Sequence, residues 1–228
     1  MLTEYLSCAL ISYFAAIRIY YEHIDMKKIH YISGIIISIF IGLHLFNHCY
    51  SLLGAEKHIA LMQRLRPIYR NVVAETILLL AVLVQIISGL RLFKARRTLA
   101  HTPFEKLHIW TGLYLAIFFV IHLAAVLSGR LWLHLDTNFY FGAAGINSFP
   151  FNVFFIPYYG FAVIAFFGHL AAVHHQKMKH RFLGITPKGQ SKMMLLFGIC
   201  LSILLIYGLT NHFKGFPIPP AYQVLIGK

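Results

Sequence analysis

Charged residues are scarce in this sequence: Asp, Glu, Lys and Arg make up 12% of its 228 residues, whereas 59% are hydrophobic. Soluble globular domains carry about 25% charged residues. The mean hydropathy is +0.70. This composition excludes an ordinary soluble domain and favours an integral membrane protein.

Cysteine is also scarce, since only Cys8, Cys49 and Cys200 occur, scattered through apolar segments. They form no disulfide framework and no zinc motif. The sequence also lacks a phosphate-binding loop and a nucleophile elbow. These absences argue against hydrolase and nucleotide chemistry but leave redox chemistry open.

Acidic residues number 7 against 20 Lys and Arg, which gives a net charge of +13. Most of the basic residues lie between apolar segments, where membrane topology places them. We therefore predict contact with membrane lipid and no nucleic-acid partner.

Six apolar segments, most close to the length that crosses a bilayer, lie at residues 2–20, 29–52, 70–93, 107–128, 152–175 and 192–212. We predict one all-α transmembrane domain over residues 1–228, with five core helices and an extra N-terminal helix. The first segment lacks the basic start and the cleavage site of a signal peptide. Its alternative is a helix that lies on the membrane surface.

The basic connections at 21–28, 94–106 and 176–191 predict the cytoplasmic side. The N-terminus, the connections at 53–69 and 129–151, and the tail then face outward. Lys57, Arg64 and Arg66 on the 53–69 connection are exceptions to this charge rule.

Two segments share one pattern, His-x-x-(Ser/Thr)-Gly-x9-His-Leu. It begins at His30 and ends at His44-Leu45 in one segment, and begins at His108 and ends at His122-Leu123 in the other. Five matched positions at identical spacing are not expected by chance.

Helix geometry gives this spacing a meaning. Fourteen residues leave the two histidines about 40° apart around a helix and about 21 Å apart along it. Because the two segments run parallel, His30 can meet His108 at an inner, cytoplasmic level. His44 can meet His122 at an outer level.

Two opposed imidazoles suit the iron of a six-coordinate haem. Gly34 and Gly112 would let a flat macrocycle approach the backbone. Alternatively, the glycines serve only helix packing, and the histidines are satisfied polar groups near the membrane boundary. Ionisable residues inside a membrane are normally functional, which favours the haem interpretation.

The residues from His30 to Gly34, and His44 after them, resemble the membrane cytochrome b subunits of the succinate dehydrogenase and fumarate reductase superfamily. The resemblance covers residues 28–212 and implies a dihaem five-helix form. In that form four successive helices each give one axial histidine. It implies haem ligation by His44, His122 and His169, and a quinone near Ser33 and His30.

The third apolar segment departs from that family, because Gln85 stands where a ligand histidine is expected. A second, weaker resemblance is to the cytochrome b of quinol-oxidising respiratory complexes, where two parallel helices each offer two histidines. That scheme would use His30 and His108 at the inner level. The two resemblances agree on His44 and His122.

Charged residues at the outer level are further candidates. Arg66, Arg70 and Arg130 could bind haem propionates, since Arg forms bidentate bonds with carboxylates. They could equally be ordinary anchors at the membrane boundary. Glu75 could accept a proton from a quinol or pair with Arg70. His48 is either a supporting residue of the site or an interfacial one.

The sequence thus predicts a subunit that binds one or two haems b and moves electrons between a quinone pool and a soluble redox subunit at the cytoplasmic face. The resemblance places it in a bacterial cytoplasmic or mitochondrial inner membrane. The alternatives are a haem-free transporter or scaffold subunit, and a cytochrome fold that has lost its haem and serves as an anchor in a larger complex.

Overall fold

The structure is a computed structural model that describes residues 26–228 in full, and residues 2–25 only through the backbone of the first helix. No β-strand occurs in this part of the chain. Helices α1 to α7 run, in order, over Leu2–Cys49, Ala55–Tyr69, Val72–Arg96, Pro103–Leu131, Phe139–Ile146, Asn152–Lys177 and Pro187–Leu209. Short 3-10 helices follow α1 at Tyr50–Leu53 and end the chain at Pro220–Ile226.

Five helical stretches among residues 26–228 are long and apolar enough to cross a membrane. They are Met26–Leu53, Val72–Arg96, Pro103–Leu131, Asn152–Lys177 and Pro187–Leu209. They coincide with the five predicted core segments, with ends that differ by a few residues. The prediction of an all-α bundle with five core membrane helices is confirmed, and the chain is an integral membrane protein.

Helix α1 continues without a break through residues 21–28, where the sequence had predicted a connection between the first two segments. This stretch contains neither Pro nor Gly, so nothing in its backbone chemistry interrupts the helix. The predicted membrane crossing of residues 2–20 lies outside the fully described residues.

Helices α4 and α7 both begin at strong capping signals. Thr102 accepts a hydrogen bond from the backbone N–H of Glu105, whose carboxylate accepts one from Thr102. Thr186 caps α7 in the same way through the N–H of Gly189. Each cap is followed by a proline at the first helical position, where its fixed φ suits the helix.

The spans pack in a chain of neighbours: α1 against α3, α3 against α4, α4 against α6, and α6 against α7. Small residues bring α6 and α7 close together, as is common for membrane helices. A Cβ atom on Gly198 would collide with the ring of Phe167. Ser202 on α7 donates a hydrogen bond to the carbonyl of Gly160 on α6 at 2.9 Å.

Two helices that were not predicted from the sequence, α2 and α5, close the end of the bundle that carries His44 and His122, which is called the outer end after the predicted orientation. Helix α2 buries Ala55, His58 and Met62, which recur at helical spacing on one face. Helix α5 is buried along most of its length, and Phe139 and Ile146 are each 2% exposed. Together with α7 and the tail, α2 and α5 form the outer cap, whose core contains Ala55, Phe139, Ala143, Ile146 and Leu209.

Candidate functional site

The outer histidine pair joins two helices that are not neighbours in the packing order of the spans. The ring centroids of His44 on α1 and His122 on α4 lie 6.3 Å apart, and the ring planes are inclined at 68°. The structure therefore brings together the two residues on which both resemblances agree.

The separation of this pair matches the requirement of an axial metal site. A histidine nitrogen lies about 2 Å from the metal it ligates, and the ring centroid lies roughly 1 Å farther out. Two imidazoles on opposite faces of one iron therefore have centroids roughly 6 Å apart, as His44 and His122 do. The donor set also fits, since imidazole nitrogen is an axial ligand of haem iron.

A phenylalanine one turn earlier stacks on each of these histidines. Phe40 lies against His44 with an interplanar angle of 21°, and Phe118 lies against His122 with an angle of 12°. Neither phenylalanine was predicted from the sequence. The signal was present, because Phe follows the glycine at the same interval in both segments and extends the pattern to His-x-x-(Ser/Thr)-Gly-x5-Phe-x3-His-Leu.

His48 connects the pair to the outer cap. Its Nε2 lies 3.1 Å from Nε2 of His44, and its Nδ1 lies 3.3 Å from Nε2 of His58 on α2. A metal on Nε2 of His44 would replace the first hydrogen bond and leave the second. His48 therefore belongs to the site and is not an isolated interfacial residue.

His58 is a site residue that was not predicted from the sequence, although its helical spacing with Ala55 and Met62 could have indicated a buried position. It is 2% exposed. Burial, and then the nearby His44, lower the pKa of His58 to about 4. His58 is therefore neutral at physiological pH.

A charged rim borders the outer level where α2, α3 and α4 meet. Arg66 forms an ion pair with Asp136, and Arg130 forms one with Glu75. This arrangement corrects the expected pairing of Glu75 with Arg70. Arg70 lies 4.0 Å from Asp136, and burial followed by the charges of Arg130 and Arg66 lowers its pKa. These causes disfavour the charged form of Arg70, which an anion bound at the rim would stabilise.

A cavity of about 350 Å³ lies between the histidine pair, the cap and the charged rim. Aromatic and aliphatic side chains supply most of its walls. Its polar lining includes His44, His48, His58, His122, Asn47, Glu75 and the three arginines of the rim. The site is therefore an apolar chamber with imidazoles at its centre and a basic edge.

At the inner level, His30 on α1 is held by α3. Its Nδ1 lies 2.9 Å from the hydroxyl of Ser88, and its Nε2 lies 3.1 Å from the amide nitrogen of Gln85. Ser33 donates to the other end of that amide at 2.6 Å. Gly34 faces Gln85, and a Cβ atom there would lie 3.5 Å from the amide nitrogen. Both nitrogens of His30 are thus engaged.

His108 and His169 form a separate inner pair between α4 and α6, with ring centroids 4.4 Å apart. The Nδ1 atom of His108 lies 3.2 Å from the amide of Gln176, and that of His169 lies 3.3 Å from the hydroxyl of Thr111. Gly112 makes room for this pair, because its missing Cβ would lie 3.2 Å from the His169 ring.

The inner pairing follows neither of the two schemes drawn from the resemblances. His30 bonds with Gln85, and His108 packs on His169. The spacing of 4.4 Å is about 2 Å shorter than the separation that two axial imidazoles need. In this arrangement the inner residues do not fit a bis-histidine haem.

No group of three or more His, Cys, Asp or Glu residues within 26–228 is arranged to hold a bare metal ion. No family model, curated protein or solved structure matches the chain.

Proposed function

We propose that the protein is a membrane cytochrome b that binds one haem between His44 and His122 and exchanges electrons with quinone in the bilayer. The observation that carries this proposal is the 6.3 Å separation of the two imidazoles, which suits two axial ligands of one iron. Haem supplies one-electron redox chemistry, and two axial histidines leave no open position for substrate on the metal.

The surrounding residues orient and seal this centre. Phe40 and Phe118 hold the two imidazole planes by stacking. The apolar walls of the cavity limit water, which strengthens electrostatic interactions inside it. Arg70 at the rim can form hydrogen bonds with a propionate, because a guanidinium matches a carboxylate in shape and charge.

We propose no haem at the inner level. His108 and His169 touch directly, and His30 is held by Gln85 and Ser88. Gln85 stands where the resemblance expects a ligand histidine, and its contact with His30 agrees with the absence of an inner haem. The same network favours the second candidate function, in which the fold has lost its haems and serves as an anchor in a larger complex.

Lipid contact follows from the membrane spans, whereas the quinone and a soluble redox subunit are proposals. The basic inner connections favour an acidic subunit at the cytoplasmic face. The two histidine levels of α1 are about 21 Å apart along the helix. With a haem only at the outer level, a diffusing quinone is the carrier that we propose to connect haem and subunit. Such chemistry belongs in a bacterial cytoplasmic or mitochondrial inner membrane.

A reduced-minus-oxidised spectrum of the purified protein tests the proposal. We expect a b-type band with one haem per chain, lost in His44→Ala and His122→Ala. His101→Ala, at an exposed position before α4, should keep the band. If protein made with an ample haem supply has no such band, the cytochrome proposal is wrong and a haem-free scaffold, anchor or transporter subunit is favoured.

A further inference from the structure

Two buried polar side chains in the outer cavity are only partly satisfied. Asn47 is 5% exposed and His58 is 2% exposed. The amide nitrogen of Asn47 lies 3.2 Å from Nε2 of His58. Within residues 26–228, neither Oδ1 of Asn47 nor Nδ1 of His58 has a hydrogen-bond partner. Buried polar groups normally have partners, so these two require an explanation.

The chemistry of the missing partner follows from donor and acceptor counting. If the Asn47 amide donates to Nε2, a neutral His58 carries its proton on Nδ1. That leaves one free N–H donor and one free carbonyl acceptor. If the amide is rotated so that its oxygen accepts from Nε2, the free donor is on Asn47 and the free acceptor is on His58. Both arrangements suit a group that donates and accepts at once, which is the property of a hydroxyl.

The surroundings specify what carries this hydroxyl. Phe139 packs edge-on against His58 with ring centroids 5.2 Å apart. Met62, Ile146 and Leu209 also line the cavity. Their apolar surface suits an aromatic ring with alkyl substituents, whereas a water molecule would satisfy only the two polar atoms.

We propose that Asn47 and His58 bind a hydroxyl group of a hydroquinone in the outer cavity. His48 lies between this pair and His44, at hydrogen-bond distance from both histidines. The bound ring is then adjacent to the histidine pair at which we place the haem. The inference deepens the proposed function by naming the residues that recognise the quinol, and its binding test requires no turnover.

The test compares two ligands on the full-length protein in detergent under anaerobic conditions. Duroquinol carries two hydroxyl groups, and its dimethyl ether has nearly the same ring but no O–H donor. Isothermal titration should show duroquinol binding at least about tenfold more tightly, because a site built for a hydroxyl rejects the analogue that lacks it. Equal affinity for the two ligands, or binding of neither, would overturn the proposal. Binding of neither is the result expected if the pair only holds water.

A matched pair of variants assigns the effect to the residues. Asn47→Leu keeps nearly the same size without polar atoms, and we expect it to weaken duroquinol binding about tenfold while ether binding stays unchanged. Ile39→Leu alters an exposed side chain of α1 that does not line the cavity, and it should leave both affinities within about twofold. Unaltered duroquinol affinity in a folded Asn47→Leu protein would count against the assignment. If Asn47→Leu does not fold, the two-ligand comparison on the unmodified protein still decides.

Haem content separates this inference from the proposed function. We expect Asn47→Leu to keep its b-type band while it loses selectivity for duroquinol over the ether. If haem content and the number of duroquinol sites per chain fall together while the affinity of the remaining sites is unchanged, the pair serves a haem propionate, and the quinol inference is wrong. Absence of the band in the unmodified protein contradicts the proposed function, whereas selective duroquinol binding would still support the site.

Discussion

Each outer histidine stacks on a phenylalanine and also lines the cavity. The stack comes from the same helix, one turn earlier, so the orientation of the imidazole is fixed locally by α1 or α4. The two stacks hold the rings at 68° to each other. If these two imidazoles hold the proposed haem, their non-parallel planes would give the oxidised iron a strongly anisotropic magnetic response.

Phe118→Leu should therefore change the electron paramagnetic resonance spectrum of the oxidised haem. Loss of the stack frees the His122 ring, so we expect reduced anisotropy or several overlapping signals, with at least half of the haem retained. Phe161→Leu alters an exposed ring of α6 and serves as the control. An unchanged spectrum in Phe118→Leu would show that the ring is fixed by other contacts.

Arg70 should raise the reduction potential of the proposed haem, because a positive charge stabilises the reduced state. Arg70→Gln is expected to lower the midpoint potential by roughly tens of millivolts. Arg70→Lys keeps the charge and should shift it less. Potentiometric titration measures both variants, and an equal shift in both would mean that guanidinium geometry matters more than charge.

At the scale of the elements, the five core helices could be predicted because long apolar runs leave few alternatives in a membrane. Helix α2 was missed because it is amphipathic and polar enough to resemble a loop, and α5 because it is only eight residues long. The outer pair could be predicted from the repeat. The inner pairing could not, because the repeat does not specify that α1 packs on α3 and α4 on α6.

The inner network between α1 and α3 should stabilise the bundle, and it should not bind a haem. Gln85→Leu removes hydrogen bonds to His30 and Ser33 and is expected to destabilise the bundle by about 1–3 kcal/mol. His108→Ala and His169→Ala should keep one haem per chain. Thermal unfolding in detergent and pyridine haemochrome assays measure these effects, and loss of haem in His169→Ala would require a second, inner haem.

The outer cap should weaken in mild acid. The pKa of His58 is about 4 in the folded protein and is expected near 6.5 when α2 opens. The open state therefore binds more protons as pH falls below 6.5, and the stability of the cap decreases until about pH 4.

By pH 5 the loss should reach about 2 kcal/mol. Hydrogen exchange of the α2 amides, corrected for intrinsic rates, measures it. His58→Gln removes the titrating group and should flatten the dependence between pH 7 and 5. Equal protection of α2 in the unmodified protein at these two pH values would contradict a neutral buried His58.

At the scale of the whole molecule, the distribution of basic residues predicts orientation. Cysteines introduced at Leu133 and Lys179, which are exposed in opposite connections, should differ in reactivity. In intact cells or right-side-out vesicles, a membrane-impermeant thiol reagent should label Leu133→Cys and spare Lys179→Cys. The reverse pattern would invert the assignment of outer and inner levels.

The outer histidines lie on α1 and α4, whereas the direct packing of these helices runs through α3. A ligand held by both histidines would therefore link two helices, α1 and α4, that do not pack directly on each other. Binding that favours only the folded state adds to its stability. If that ligand is the proposed haem, its supply should control how much of the protein escapes degradation, since chains without the ligand open more often. The abundance of the protein in haem-starved cells would then measure cofactor delivery, independent of electron transfer.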